Sequence, residues 1–105
     1  MTPLEELLAR VEIEALVAEF AWRIDHGETD RIAELFTSDG WYGRETGERS
    51  VGREAIARAY ANRAVVGQRT ARHLFTNLRL TVRPEGSAEG TCILLLFAAD
   101  GAPPL

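Results

Sequence analysis

The run Cys-Ile-Leu-Leu-Leu-Phe-Ala-Ala at residues 92–99 constrains the fold of this chain more than any other stretch. Eight consecutive apolar residues fall far short of the roughly 20 that a helix needs to cross a bilayer. They suit a strand instead, because Pro-Glu-Gly-Ser at 84–87 reads as a turn and Ala71–Arg83 before it reads as another strand. The sequence therefore predicts two long antiparallel strands, Ala71–Arg83 and Glu89–Ala99. The unbroken apolarity of the second predicts burial on both of its faces.

The residues upstream follow a different period. Thr2, Pro3 and Glu5 form a helix start, with Thr2 as cap and Pro3 at the first helical position. Leu4, Leu7, Leu8 and Val11, then Ile13, Leu16, Val17, Phe20 and Ile24, recur at helical spacing and predict a helix to about Asp25. Gly27 offers the left-handed stop. A short second helix is expected behind Thr29 or Asp30, burying Ile32, Leu35 and Phe36. Trp41 and Tyr42 begin a short strand that turns at Thr46-Gly47 and returns over Arg49–Val51. A third helix starts near Gly52 and carries Ile56, Tyr60 and Ala64. Helices first and long strands last indicate an α+β fold, with helices on one face of a curved antiparallel sheet.

Length and charge narrow the function classes. A chain of 105 residues is expected to form a single domain. Its 12 basic and 16 acidic residues are interleaved and sum to −4, which disfavours a nucleic-acid partner. No basic segment leads an apolar one at the N-terminus, so the expected setting is cytoplasmic, with no membrane anchor. Cys92 is the only cysteine, which excludes an internal disulfide, and in an apolar strand it reads as inert core. The ending "FAADGAPPL" stops after two long strands, and Pro103-Pro104 cannot continue a ladder. Either a partner chain completes the sheet or the chain lacks its last strands. An uncovered sheet edge also predicts a homo-oligomer, a dimer in the simplest case.

Two residues are the candidates for chemistry. Asp25 lies about 100° from the centre of the Ile13–Ile24 stripe, beside the small side chains of Ala18 and Ala21, where a carboxylate can look into a cavity. Its plain reading is a solvated helix end, although a negative charge is unfavourable at a helix C-terminus. Strict alternation places His73, Phe75, Asn77, Arg79 and Thr81 on one strand face, and Leu74, Leu78, Leu80 and Val82 on the other. That turns His73 away from the leucines unless a bulge changes the parity. Together, an Asp that accepts from one imidazole nitrogen would fix the tautomer and leave the other nitrogen as a base near neutral pH. Tyr42, Trp41, Asn77 and Arg72 are candidate pocket residues, each with a plain structural reading beside it. His26 reads as a surface residue or an aid to the helix end. Trp22, opposite the apolar stripe, suggests that the back of the helix is covered as well, a subunit contact being one such cover. No phosphate loop is present, and the two histidines have no carboxylates at metal-ligand spacing, so no metal is expected.

The segments "AWRIDHGETDRIAELFTSDG", "GERSVGREAIARAY" and "ARHLFTNLRL" together resemble the SnoaL-like family of the nuclear transport factor 2-like superfamily. The resemblance covers nearly the whole chain. It implies a conical α+β barrel: three N-terminal helices packed on a strongly curved antiparallel sheet, with an apolar pocket at the open end. In the scytalone dehydratase and dehydrochlorinase-like branch, an Asp ending the first helix and a His opening the long strand form a general-base pair. Asp25 and His73 match it in position and type. The implied activity is a cofactor-independent lyase, dehydratase or isomerase acting on a small apolar or cyclic substrate. Other relatives are structural, so a non-catalytic small-molecule-binding or oligomer-forming module is the alternative. The family usually continues with two further strands.

Overall fold

The computed structural model describes residues 1–64 and 68–105. Helix α1 spans Pro3–Asp25 and is capped as expected: the Thr2 hydroxyl accepts from the Glu5 backbone N–H at 3.1 Å. Gly27 takes the left-handed conformation (φ 75°) that ends it. The second helix is a 3-10 helix, Thr29–Leu35, rather than an α-helix. Its cap position is Glu28, which makes no side-chain cap bond, so neither Thr29 nor Asp30 plays the expected part. Strands β1 (Trp41–Gly43) and β2 (Arg49–Val51) form a small antiparallel hairpin, and α2 follows over Arg53–Ala64. Strands β3 (Arg69–Val82) and β4 (Ala88–Asp100) form the long hairpin.

The core is small and lies between the helices. Among the described residues its fully buried apolar side chains are Ile32, Ile56 and Tyr60, with Phe20, Ile24, Ala33, Phe36 and Tyr42 packed round them. The side chain of Ala64, expected on the same helix face, lies outside the described residues. Three aromatic rings tie this core to the long hairpin. Phe20 meets Tyr60 edge-on at 6.3 Å on one side and Phe75 at 6.0 Å on the other. Arg23, 8% exposed, locks α1 to the 3-10 helix by pairing with Glu19 and Glu34 and donating to the Arg31 carbonyl. Hydrogen bonding to Glu19 is the main reason its guanidinium pKa rises above the usual arginine value.

Two expectations fail. The strands do not share one curved sheet: among the described residues there are two separate two-stranded sheets, β1-β2 and β3-β4. Nor is β4 buried on either face, since every residue of it is exposed, Cys92 included. The physical reason is that no third layer covers it among the described residues. There only β3 pairs with β4, and of these two strands α1 packs on β3. The radius of gyration, 15.4 Å, exceeds the roughly 13 Å of a compact chain of this length, as a projecting hairpin requires.

One irregularity in the hairpin resets its faces. Thr76 pairs with Ile93 and Arg79 with Thr91, so Asn77 and Leu78 together oppose a single residue. Asn77 adopts φ 54°, the left-handed conformation that asparagine tolerates better than most residues. The bulge shifts side-chain parity by one. Leu78, Leu80 and Val82 thereby join His73 and Phe75 on the α1 side, while Leu74, Arg79 and Thr81 turn outward. Exposure agrees: Leu78, Leu80 and Val82 are half-buried, whereas Leu74, Arg79 and Thr81 are exposed. Gly90, opposite Leu80, leaves room there, because a Cβ would stand 2.7 Å from Leu80 Cδ2.

Candidate active site

The corrected parity brings Asp25 and His73 together. Asp25 occupies the last helical position of α1, against the edge of β3 that faces away from β4. Its carboxylate Oδ2 accepts from the His73 backbone N–H at 2.8 Å, and Oδ1 lies 2.6 Å from His73 Nδ1. A carboxylate only accepts, so Nδ1–H donates and the proton-free nitrogen of a neutral ring is Nε2. Both side chains are largely withdrawn from solvent, at 6% for Asp25 and 14% for His73. The carboxylate is thus held by the backbone and the ring of the same residue, which fixes the imidazole plane. Phe75 adds a near-parallel ring 6.4 Å away, tilted by 18°.

His73 and Asp25 line a cavity of about 610 Å³. Its walls are Val17, Ala18 and Ala21 of α1 with Phe75 and Leu78 of β3, and its rim carries Glu14, Trp22 and His26. The small Ala18 and Ala21 leave the space beside Asp25 that the helix projection anticipates. The wall is apolar; Asp25, His26 and His73 stand together at the C-terminal end of α1, with Glu14 about three turns back along the helix. Leu78 reaches the cavity only because of the bulge, which strict alternation does not reveal.

The remaining candidates separate. Tyr42 lines a different cavity, of about 590 Å³, between the small hairpin and α2, together with Arg44, Ser50 and Tyr60. Trp41 lines neither cavity; it is half in solvent, with the Arg49 guanidinium 4.0 Å above its ring. Arg72 points off the His73 face and donates to the Ala71 carbonyl at 2.7 Å, with the Asp25 carbonyl 3.5 Å away. It braces the end of α1 and does not line the cavity. Asn77 is exposed and serves the bulge, so its contribution is conformational.

His26 belongs to the site region more closely than the sequence suggests. Its backbone N–H caps α1 by donating to the Trp22 carbonyl, and its Nδ1 lies 2.9 Å from the same oxygen. The ring stacks on Trp22 at 3.7 Å, and Trp22 Nε1 donates to Glu28. The i, i+4 spacing of Trp22 and His26 is the signal that could have shown this pairing. Trp22 itself is 54% exposed, and within this chain no described residue covers that side of α1. Also among these, no group of three His, Cys, Asp or Glu is placed to hold a metal ion, and no helix is long and apolar enough to cross a membrane.

Comparison with known proteins agrees with this architecture. The family profile described as SnoaL-like domain matches residues 5–104. The chain belongs to the SnoaL-like family. Solved structures with the same fold include ActVI-ORFA from Streptomyces coelicolor, 17% identical, TM-score 0.77, covering 92% of this chain and 74% of that one. A protein from Novosphingobium aromaticivorans assigned as a scytalone dehydratase is also 17% identical, with TM-score 0.81, covering 95% and 66%. A protein from Catenulispora acidiphila, solved in complex with S-DNPA, is 22% identical, with TM-score 0.76, covering 88% and 68%. This SnoaL-like chain therefore spans about two thirds to three quarters of the length of these structures. No curated protein sequence matches it. At these identities the likeness is one of fold: helices in front of antiparallel strands.

Proposed function

We propose that this SnoaL-like chain is a cofactor-independent lyase, dehydratase or isomerase for a small apolar or cyclic substrate, with His73 as general base and Asp25 as its positioning partner. The observation that carries the reading is the 2.6 Å contact between Asp25 Oδ1 and His73 Nδ1 in residues lining an apolar cavity. His73 Nε2 takes a proton from a substrate carbon, and the electron pair of that C–H bond moves into the carbon skeleton. In elimination it forms the new double bond as the leaving group departs with its own pair. In isomerisation it forms a dienolate or enolate that is reprotonated elsewhere. Asp25 stabilises the imidazolium produced, and it holds the ring so that little reorganisation accompanies the transfer. The apolar wall of Val17, Ala18, Phe75 and Leu78 supports a hydrocarbon-rich substrate.

The assignment of one structural neighbour as a scytalone dehydratase favours elimination within this class. The test is a screen of small cyclic alcohols, halides and ketones against the wild-type chain and His73→Ala. Turnover by the wild type and its loss in the variant support the reading. Equal turnover by both refutes it.

A second reading has its own observation. Both Asp25 oxygens are occupied by His73, so the pair also serves as a buried staple between α1 and β3. On that reading the chain binds a small molecule and releases it unchanged, and the main effect of His73→Ala is a lower melting temperature, because it strands a buried carboxylate. On either reading we propose that the bare apolar side chains of β4 are covered by a second copy in a homo-oligomer, a dimer being the simplest. Sedimentation of the chain at several concentrations tests that point.

A further inference from the structure

Elimination of a hydroxyl needs an acid as well as a base. The oxygen leaves carbon readily only as water, so a proton must reach it while His73 takes one from carbon. Among the described residues four titratable side chains line the cavity: Glu14, Asp25, His26 and His73. Asp25 is engaged by His73, which occupies both of its oxygens. Glu14 stands about three turns back along α1. His26 is the one that remains at the Asp25–His73 end, and imidazole both gives and takes protons near neutral pH.

His26 is held in one orientation, unlike a histidine that merely ends a helix in solvent. A carbonyl oxygen only accepts, so the 2.9 Å contact between His26 Nδ1 and the Trp22 carbonyl puts the proton of a neutral ring on Nδ1. Nε2 is then the nitrogen that gains and gives up a proton, and it has no hydrogen-bond partner among the described residues. The ring lies on the Trp22 indole, 3.7 Å between centroids and tilted by 14°. Trp22 is fixed in turn, its Nε1 donating to Glu28 Oε2 at 3.1 Å, while Arg31 donates to Glu28 Oε1 at 2.8 Å. Four side chains thus hold in place an imidazole that is otherwise exposed. All of these contacts lie within residues 22–31, so none depends on β4 or on anything beyond it.

We infer that His26 is the general acid of this site, its Nε2–H protonating a departing hydroxyl as His73 Nε2 removes the proton from carbon. The C–H pair becomes the new C=C bond, the C–O bond breaks with its pair on oxygen, and water leaves. His73 ends protonated and His26 neutral, and a proton passed from one to the other through solvent restores both. This role rests on the reading of His73 as general base, and it narrows the leaving group to a hydroxyl.

Two probes with one skeleton test it on the 105-residue chain. The first, 3-hydroxycyclohexanone, loses water; the second, 3-(4-nitrophenoxy)cyclohexanone, loses 4-nitrophenolate and needs no acid. Both yield the same cyclohexenone, followed by its ultraviolet absorbance. His26→Gln should lower the rate on the hydroxy probe relative to the nitrophenoxy probe about 10²-fold or more, as loss of a positioned acid does. His73→Ala should lower both rates, because both begin with the same proton abstraction. If His26→Gln keeps the wild-type ratio while His73→Ala loses both rates, the acid is overturned and the base stands. Rates unchanged in His73→Ala overturn both assignments, as does a wild type inert on both probes. A second measurement needs no turnover: nitrogen-15 spectra of the imidazoles should show neutral His26 carrying its proton on Nδ1. A neutral His26 protonated on Nε2 instead overturns the inference whatever the rates.

Discussion

Strands β3 and β4 are two halves of one hairpin, similar in length and paired along it on both sides of one bulge, yet they live in different environments. The α1 side of β3 is half-buried and supplies His73, Phe75 and Leu78 to the cavity. Every residue of β4 is exposed, although its composition is the more apolar. The difference teaches that a strand is buried by what is layered on it and not by its own apolarity. Helix α1 lies over β3 because Phe20 reaches Phe75, Arg10 reaches the Leu80 carbonyl and Asp25 reaches His73. No element among the described residues makes the corresponding contacts with β4.

The largest effect that would break this comparison is on activity. If β3 carries the chemistry, His73→Ala should lower turnover by a factor on the order of 10²–10⁴, the usual worth of a positioned general base. Leu96→Ala, directly across the ladder on β4, should change it far less. Steady-state rates on a substrate found by screening decide this, and comparable losses for the two variants would place the chemistry elsewhere. Next in size is the core. Ile56, fully buried, should cost about 2–5 kcal/mol when truncated to alanine. Leu95→Ala on exposed β4 should stay within about 0.5 kcal/mol in the isolated chain. Urea midpoints of the two variants check the contrast. A large loss from Leu95→Ala would show that β4 is covered in solution.

A smaller effect sharpens the account of the bulge. Asn77→Val puts a β-branched residue at φ 54° and should destabilise by about 1–2 kcal/mol. Asn77→Gly should be close to neutral, because glycine accepts that conformation freely. If both behave alike under thermal unfolding, Asn77 is not what sets the parity of β3. The smallest expected loss is at the start of α1. Thr2→Ala removes the hydroxyl that accepts from the Glu5 N–H and should cost about 1 kcal/mol, read as a modest fall in melting temperature.

Much of the local structure was legible in the residues. The Thr2 cap, the Gly27 stop, the Thr46-Gly47 turn and the two long strands all follow from rules that span four to eight residues. The space beside Asp25 was legible for the same reason, since Ala18 and Ala21 lie within two turns of it on one helix. The 3-10 character of Thr29–Leu35 was not, because a single apolar stripe is compatible with either helical period. The separation of Tyr42 and Trp41 from His73 was not legible either. It depends on how the small hairpin lies against α2, which involves residues far apart in the chain.

By itself, then, the sequence determined the order of the elements, their type apart from one helix, and the identity of the Asp25–His73 pair. These are set by short-range sterics, by hydrogen-bonding rules and by a pattern of residues in fixed order. Only the tertiary structure decided that the pair meets and on which face. One left-handed residue in β3 moves every later side chain to the opposite side of the strand. No count of alternating positions reveals that, because asparagine is compatible with either parity until the ladder pairs Thr76 with Ile93 and Arg79 with Thr91. The tertiary structure also decided that, among the described residues, nothing is layered on β4. Exposure is a property of neighbouring elements, and an apolar run records only that it can be buried.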